Sequence, residues 1–142
     1  MADFVLDSSV LVASLIPSDQ FFRNGASVVD KILNRKKTAS TSVIVPVEVC
    51  GAIARRTKNI ESARATRYQI QKWVRLGLLE IVELNKRRMQ EAQELAIEYS
   101  IKGMDAIIAQ VAKERSLPLL TFDKELTVKI SGPIETISES QL

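Results

Sequence analysis

Phe4-Val5-Leu6-Asp7-Ser8-Ser9 is the stretch on which the fold turns: three apolar residues in a row, closed by an acid and two hydroxyls. An apolar run without alternation suits a strand covered on both faces, the signature of a parallel sheet flanked by helices. An acid at the carboxyl end of such a strand lies at the edge where open α/β sheets form their ligand crevices. Far along the chain, Leu119-Leu120-Thr121-Phe122 is closed in the same manner by Asp123. If both runs are strands, Asp7 and Asp123 emerge from one edge of one sheet.

Between these runs, short β-rich segments alternate with longer helical periods, which predicts an α/β domain with right-handed crossovers. The spacing predicts a helix over 8–16, ended by Pro17, and a second over 19–34 with Phe22, Ala26, Val29 and Leu33 on one face. Residues 38–41 form a candidate second strand. Helices follow over 42–58, with Pro46 in the first turn, and over 61–76, with Ile70, Trp73 and Val74 inward and Gly77 as the stop. Residues 79–84 alternate as a strand, 86–99 and 104–115 read as helices, and 117–122 and 134–137 as strands. There is no repeat, linker or low-complexity tract, so the expectation is one domain over residues 1–142.

With 142 residues, 46% hydrophobic and 26% charged, the chain is long enough to bury a core and too apolar for disorder. Twenty basic against 17 acidic side chains give a net charge of only +3, which permits a polyanionic partner without requiring one. Cys50 is the only cysteine, which excludes an intrachain disulfide and fits a reducing compartment. Asp3 and Asp7 stand where a signal peptide carries basic residues, and no apolar stretch nears the ~20 residues of a membrane span, so a soluble cytoplasmic protein is expected.

The chain has no histidine, so hydrolytic chemistry would fall to acids, and oxygen ligands favour Mg²⁺ or Mn²⁺ over zinc. Four acids sit where an apolar segment ends or a helix begins: Asp7, Glu48, Asp105 and Asp123. Each also has a plainer reading. Asp7 and Asp123 can cap the helices that follow them, and Asp105 suits a first turn for dipole reasons. Glu48 resists such a reading, because Val45, Pro46, Val47, Val49, Cys50 and Ala52 surround it and a carboxylate there needs a partner.

Val5-Leu6-Asp7-Ser8-Ser9, Pro46-Val47-Glu48-Val49, Asp105-Ala106-Ile107-Ile108-Ala109 and Leu120-Thr121-Phe122-Asp123 together resemble the four motifs of PIN domains. In order and spacing they are most like the VapC toxins of toxin–antitoxin pairs. The resemblance implies a three-layer sandwich with strand order 3-2-1-4-5, an acidic pocket for Mg²⁺ or Mn²⁺, and endonucleolytic hydrolysis of RNA. It further implies an antitoxin partner and a homodimer. Carried over by position, Asp7, Glu48, Asp105 and Asp123 take catalytic and metal-binding roles, with Ser9 and Thr121 as hydroxyl helpers. The resemblance departs at Met104, a position often aromatic in that family.

RNA would need cations beside the acids. Arg55, Arg56 and Lys58 end the helix that carries Glu48, and Arg64, Arg67 and Arg75 share a helical face with Gln71, where phosphate contact and plain solvation weigh equally. Lys86-Arg87-Arg88 reads as a solvated surface paired with acids such as Glu91. Trp73 reads as core, and of Phe21 and Phe22 at least one ring should pack inward. Cys50 reads as a small hydrophobe. Two other functional classes stay open: a noncatalytic PIN fold that binds RNA or protein, and a phosphoryl-transfer α/β domain. The second fits poorly, since a dehalogenase-like site wants an aspartate where Ser9 stands.

Overall fold

A computed structural model describes residues 1–142. The chain runs β1 (Phe4–Leu6), α1 (Ser8–Leu15), α2 (Phe22–Leu33), β2 (Ala39–Ser42), α3 (Ile44–Thr57), α4 (Ile60–Arg75), β3 (Leu79–Val82), α5 (Lys86–Tyr99), α6 (Gly103–Arg115), β4 (Leu119–Leu120), α7 (Lys124–Ile130) and β5 (Thr136–Ile137), with a closing 3₁₀ turn at Glu139–Gln141. All five strands are parallel, in the expected order β3-β2-β1-β4-β5. Val5 lies opposite Ser40 on one side and Leu119 on the other. Successive β1 side chains point to opposite faces, and Phe4, Val5 and Leu6 are all fully buried, so helices cover both faces of the centre. No helix is long and apolar enough to cross a membrane.

β2 reads Ala-Ser-Thr-Ser, yet all four residues are buried. Its polar groups are satisfied inside the sheet: the Thr41 hydroxyl donates to the Leu6 carbonyl at 2.6 Å, and Ser40 donates to the Glu80 carboxylate. Three strands are shorter than their sequences suggest, each for a local reason. β4 keeps only Leu119 and Leu120, because Pro118 has no N–H to give and the Thr121 hydroxyl turns to Asp7. β3 stops at Val82, ahead of Asn85, whose side chain caps α5 by accepting from the Arg88 N–H. β5 begins only at Thr136, since the Ile134 N–H still bonds the Ile130 carbonyl at the end of α7.

The inward face of α2 differs from the expected one. Gly25, Val28 and Ile32 are buried, while Leu33 is 44% exposed. Gly25 explains the rotation: a Cβ there would stand 2.8 Å from both the Ser14 nitrogen and the Val10 carbonyl oxygen, so α1 and α2 touch backbone to backbone. On α4, Ile70 and Trp73 point inward as expected, but Val74 is 37% exposed. Beyond the core, Glu114 on α6 takes bonds from both Arg87 and Arg88 on α5, and Gln110 lies beside it, 2% exposed, donating to Glu91 and Glu114. The basic start of α5 is therefore paired with Glu91, as expected, and also with an acid from the neighbouring helix.

Candidate active site

β1 ends at Asp7, on the sheet's carboxyl edge, and the acid is 4% exposed. It occupies the N-cap position of α1, but its side chain makes no cap bond. Instead Asp7 Oδ2 accepts from the Ser9 and Thr121 hydroxyls, both at 2.7 Å. The same two oxygens accept backbone N–H groups in turn, Ser9 Oγ from Phe122 at 3.1 Å and Thr121 Oγ1 from Asp123 at 3.1 Å. This small lattice stitches the end of β1 to the end of β4. Both hydroxyl helpers thus touch the acid directly and leave Asp7 Oδ1 unclaimed.

Asp123 follows β4 and does cap a helix: its Oδ1 accepts from the Glu125 and Leu126 N–H groups at 3.0 and 3.2 Å. The plainer reading therefore holds for one oxygen of Asp123. Asp105 lies in the first turn of α6 and makes no capping bond. Glu48 lies in the second turn of α3, and its Oε1 is buried without any hydrogen-bond partner. Burial pushes the Glu48 carboxyl up, the negative charge of Asp7 adds to this, the Ser8 hydroxyl works against it, and Asp105 raises it further. Asp105 is pushed up to about 6, first by burial, then by the charges of Asp7 and Asp123.

All four acids line one cleft of about 730 Å³. The α1–α2 loop and the second half of α3 line it as well. There Asp19 Oδ2 accepts from Arg56 Nη1 at 2.8 Å, while Asp19 Oδ1 takes the Phe21 N–H at 2.8 Å. Arg55 lines the cleft too, and it follows Glu48 by seven residues, two turns along one face of α3. Met104 borders the cleft as well. The cleft therefore holds two arginines among its acids, one of them paired with Asp19.

Other cations named from the sequence lie elsewhere. Arg67 and Arg75 line a separate apolar groove of about 690 Å³ with Ile70, Val74 and Cys50, which Val47 shares with the acidic cleft. Arg64 pairs with Glu61 on the exposed surface. The Asp19–Arg56 pair and the ring contact between Phe21 and Phe122, 5.2 Å between centroids, had no sequence signal beyond residue type.

Do these residues suit a divalent ion? No three acidic side chains already stand close enough to grip one, so an ion would have to draw them together. The donor set nevertheless fits Mg²⁺ or Mn²⁺. It is all oxygen, mutually repelling, and includes a buried carboxylate oxygen with no partner, a placement that costs free energy until a cation joins it.

The family model of the PIN domain matches residues 4–129. Among solved structures, the chain is similar to VapC20 of Mycobacterium tuberculosis, described as a sarcin–ricin loop cleaving toxin: 17% identity, 88% of this chain and 93% of that one, TM-score 0.70. It is similar to a toxin–antitoxin complex from Klebsiella pneumoniae, at 18% identity over 96% and 97% of the two chains, TM-score 0.64. VapBC2 of Rickettsia felis, bound to a DNA fragment from its promoter, gives 18% identity over 94% and 96%, TM-score 0.65. Comparison with curated proteins found no significant match.

Proposed function

Since the chain belongs to the PIN-domain family, we propose that it is a Mg²⁺- or Mn²⁺-dependent endoribonuclease, working as one domain over residues 1–142 in the cytoplasm, and the toxin of a toxin–antitoxin pair. The observation that carries this reading is the buried, unpartnered Glu48 Oε1 in the cleft that Asp7, Asp105 and Asp123 also line. A divalent ion held by these acids would supply charge for the attacked phosphate and acidify a bound water. Asp7 and Asp105 would hold such an ion most directly, Glu48 would help hold it in part through water, and Asp123 would orient water from its place at the end of β4. Ser9 and Thr121 fix the rotamer of Asp7 through the two 2.7 Å bonds. Arg55, on the face of α3 that carries Glu48, would meet the RNA backbone, with Arg56 beside it held by Asp19, and a strand leaving past Val47 would meet Arg67 and Arg75, with Arg64 farther out.

The partner reading has separate support. Structures similar to this chain include a toxin–antitoxin complex and a VapBC pair on promoter DNA, which favours a cognate antitoxin here; the homodimer is carried by the motif resemblance alone. The direct test is cleavage of single-stranded RNA by nuclease-free protein. Wild type should cut with Mg²⁺ or Mn²⁺, stop with chelator, and lose activity by on the order of 100-fold or more in Asp7→Asn. Full metal-dependent cleavage by Asp7→Asn would refute the assignment. Absence of both cleavage and metal stabilisation in wild type would leave the noncatalytic binding fold.

A further inference from the structure

Phe21 and Phe122 form a wall shared by two cavities. On one side lies the acidic cleft; on the other is a pocket of about 300 Å³ that both rings line together with Asn24, Lys124, Ser138 and Glu139. The rings are tilted by 34° and each is only half-buried; Phe122 rests partly on the core, and Phe21 does not. Their positions are set by the polar groups of the cleft. The Phe122 N–H donates to Ser9 Oγ, which donates to Asp7, while the Phe21 N–H donates to Asp19, which holds Arg56. One ring is thereby tied to Asp7 through Ser9, and the other to the Asp19–Arg56 ion pair.

We infer that the ring pair and the pocket beside it form a nucleobase subsite: a base next to the phosphate in the acidic cleft stacks on Phe21 and Phe122 and presents its edge to Asn24, Ser138 and Glu139. The inference rests on the RNA reading above. Every base has a π-face that an aromatic ring can stack on, so a half-exposed aromatic pair beside a phosphate-seeking cleft is the expected form of a single-strand contact. The pocket is at the small end of ligand sites, which suits one base rather than a longer segment. Its polar groups match a base edge. Asn24 offers a donor and an acceptor, Glu139 accepts only, and their mutual contact is loose, at 3.5 Å, so a base edge can displace it. Lys124 is exposed beside them and available to the sugar–phosphate chain.

Titration of the full chain with 5′-AMP, 5′-GMP, 5′-CMP and 5′-UMP in chelator, followed by NMR, tests the subsite without any cleavage. Amide signals of Phe21, Asn24, Phe122 and Lys124 should move saturably with at least one nucleotide, and its base protons should shift upfield from the ring currents. Phe21→Leu should reduce that upfield shift, leaving only the Phe122 ring current, and weaken affinity about fivefold or more, while Phe21→Tyr keeps both. Shifts confined to the acidic cleft, no shifts at all, or wild-type binding by Phe21→Leu would overturn the subsite. A parallel cleavage assay separates the two ideas. If nucleotides bind at the rings but RNA stays intact, the nuclease reading fails and the subsite stands. If RNA is cut while the rings ignore every nucleotide and Phe21→Leu keeps the wild-type base preference, the subsite falls and the nuclease reading stands.

Discussion

Asp105 shows what the cleft costs the fold. A carboxyl pushed up to about 6 is favoured in its neutral form, so its ionisation penalises the folded state. In chelator this penalty is absent below the ordinary aspartate value near 3.8, grows as pH rises, and is complete above about 6. Asp105→Asn should therefore stabilise the metal-free protein at pH 7 by roughly 1–2 kcal/mol, discounted for solvent screening, and by little at pH 4. Thermal or urea melts at the two pH values read this directly; equal effects at both would show that the acid is not strained. Glu48 acts in the same sense, with an oxygen that has no partner at all.

Two helix contacts carry consequences at the scale of elements. The α1–α2 crossing has no room for a side chain at Gly25, and both atoms in the way belong to the α1 backbone, which cannot swing aside. Gly25→Ala should cost about 1–3 kcal/mol, and because α1 follows directly on Asp7, it should also weaken metal-induced stabilisation. An unchanged urea midpoint would mean that the helices are not packed this closely. The α5–α6 contact is electrostatic at one end, where α5 begins and α6 finishes. Glu114 is held down at about 2, chiefly by its bonds to Arg88 and with further help from Gln110 and Arg87. A depressed carboxyl lends stability that is fully present above its unfolded value near 4.5 and is lost as pH falls through about 2. Glu114→Gln should thus lower stability at neutral pH and flatten the acid-unfolding limb; an unaltered acid limb would contradict this.

Across the whole molecule, what was legible in the sequence is what depends on local pattern. β1 and the start of β4 announce themselves as unbroken apolar runs, and the acids that close them fall on one sheet edge as expected. β2 was faint because its buried Ser40 and Thr41 hydroxyls are satisfied by Glu80 on β3 and the Leu6 carbonyl on β1, and no single segment encodes that. The rotation of α2 escaped the periodicity because it is set by backbone contact at Gly25, where the relevant residue has no side chain to count. The face bearing Arg64, Arg67 and Arg75 was visible as a face, but where it points depends on how α4 packs against α3, so the cleft's cations proved to be Arg55 and Arg56. The Phe21–Phe122 contact joins distant segments that only the finished sheet brings together.

In the proposed nuclease, Asp7, Glu48, Asp105 and Asp123 act together as one divalent-ion site. Mn²⁺ binding followed by electron paramagnetic resonance tests it without RNA, comparing wild type with Asp7→Asn, Glu48→Gln, Asp105→Asn and Asp123→Asn. A saturable wild-type site, weakened about tenfold or more in each variant, is the predicted result. Free Mn²⁺ signal persisting undiminished through the millimolar range with wild type, or four variants that bind as wild type does, would contradict it.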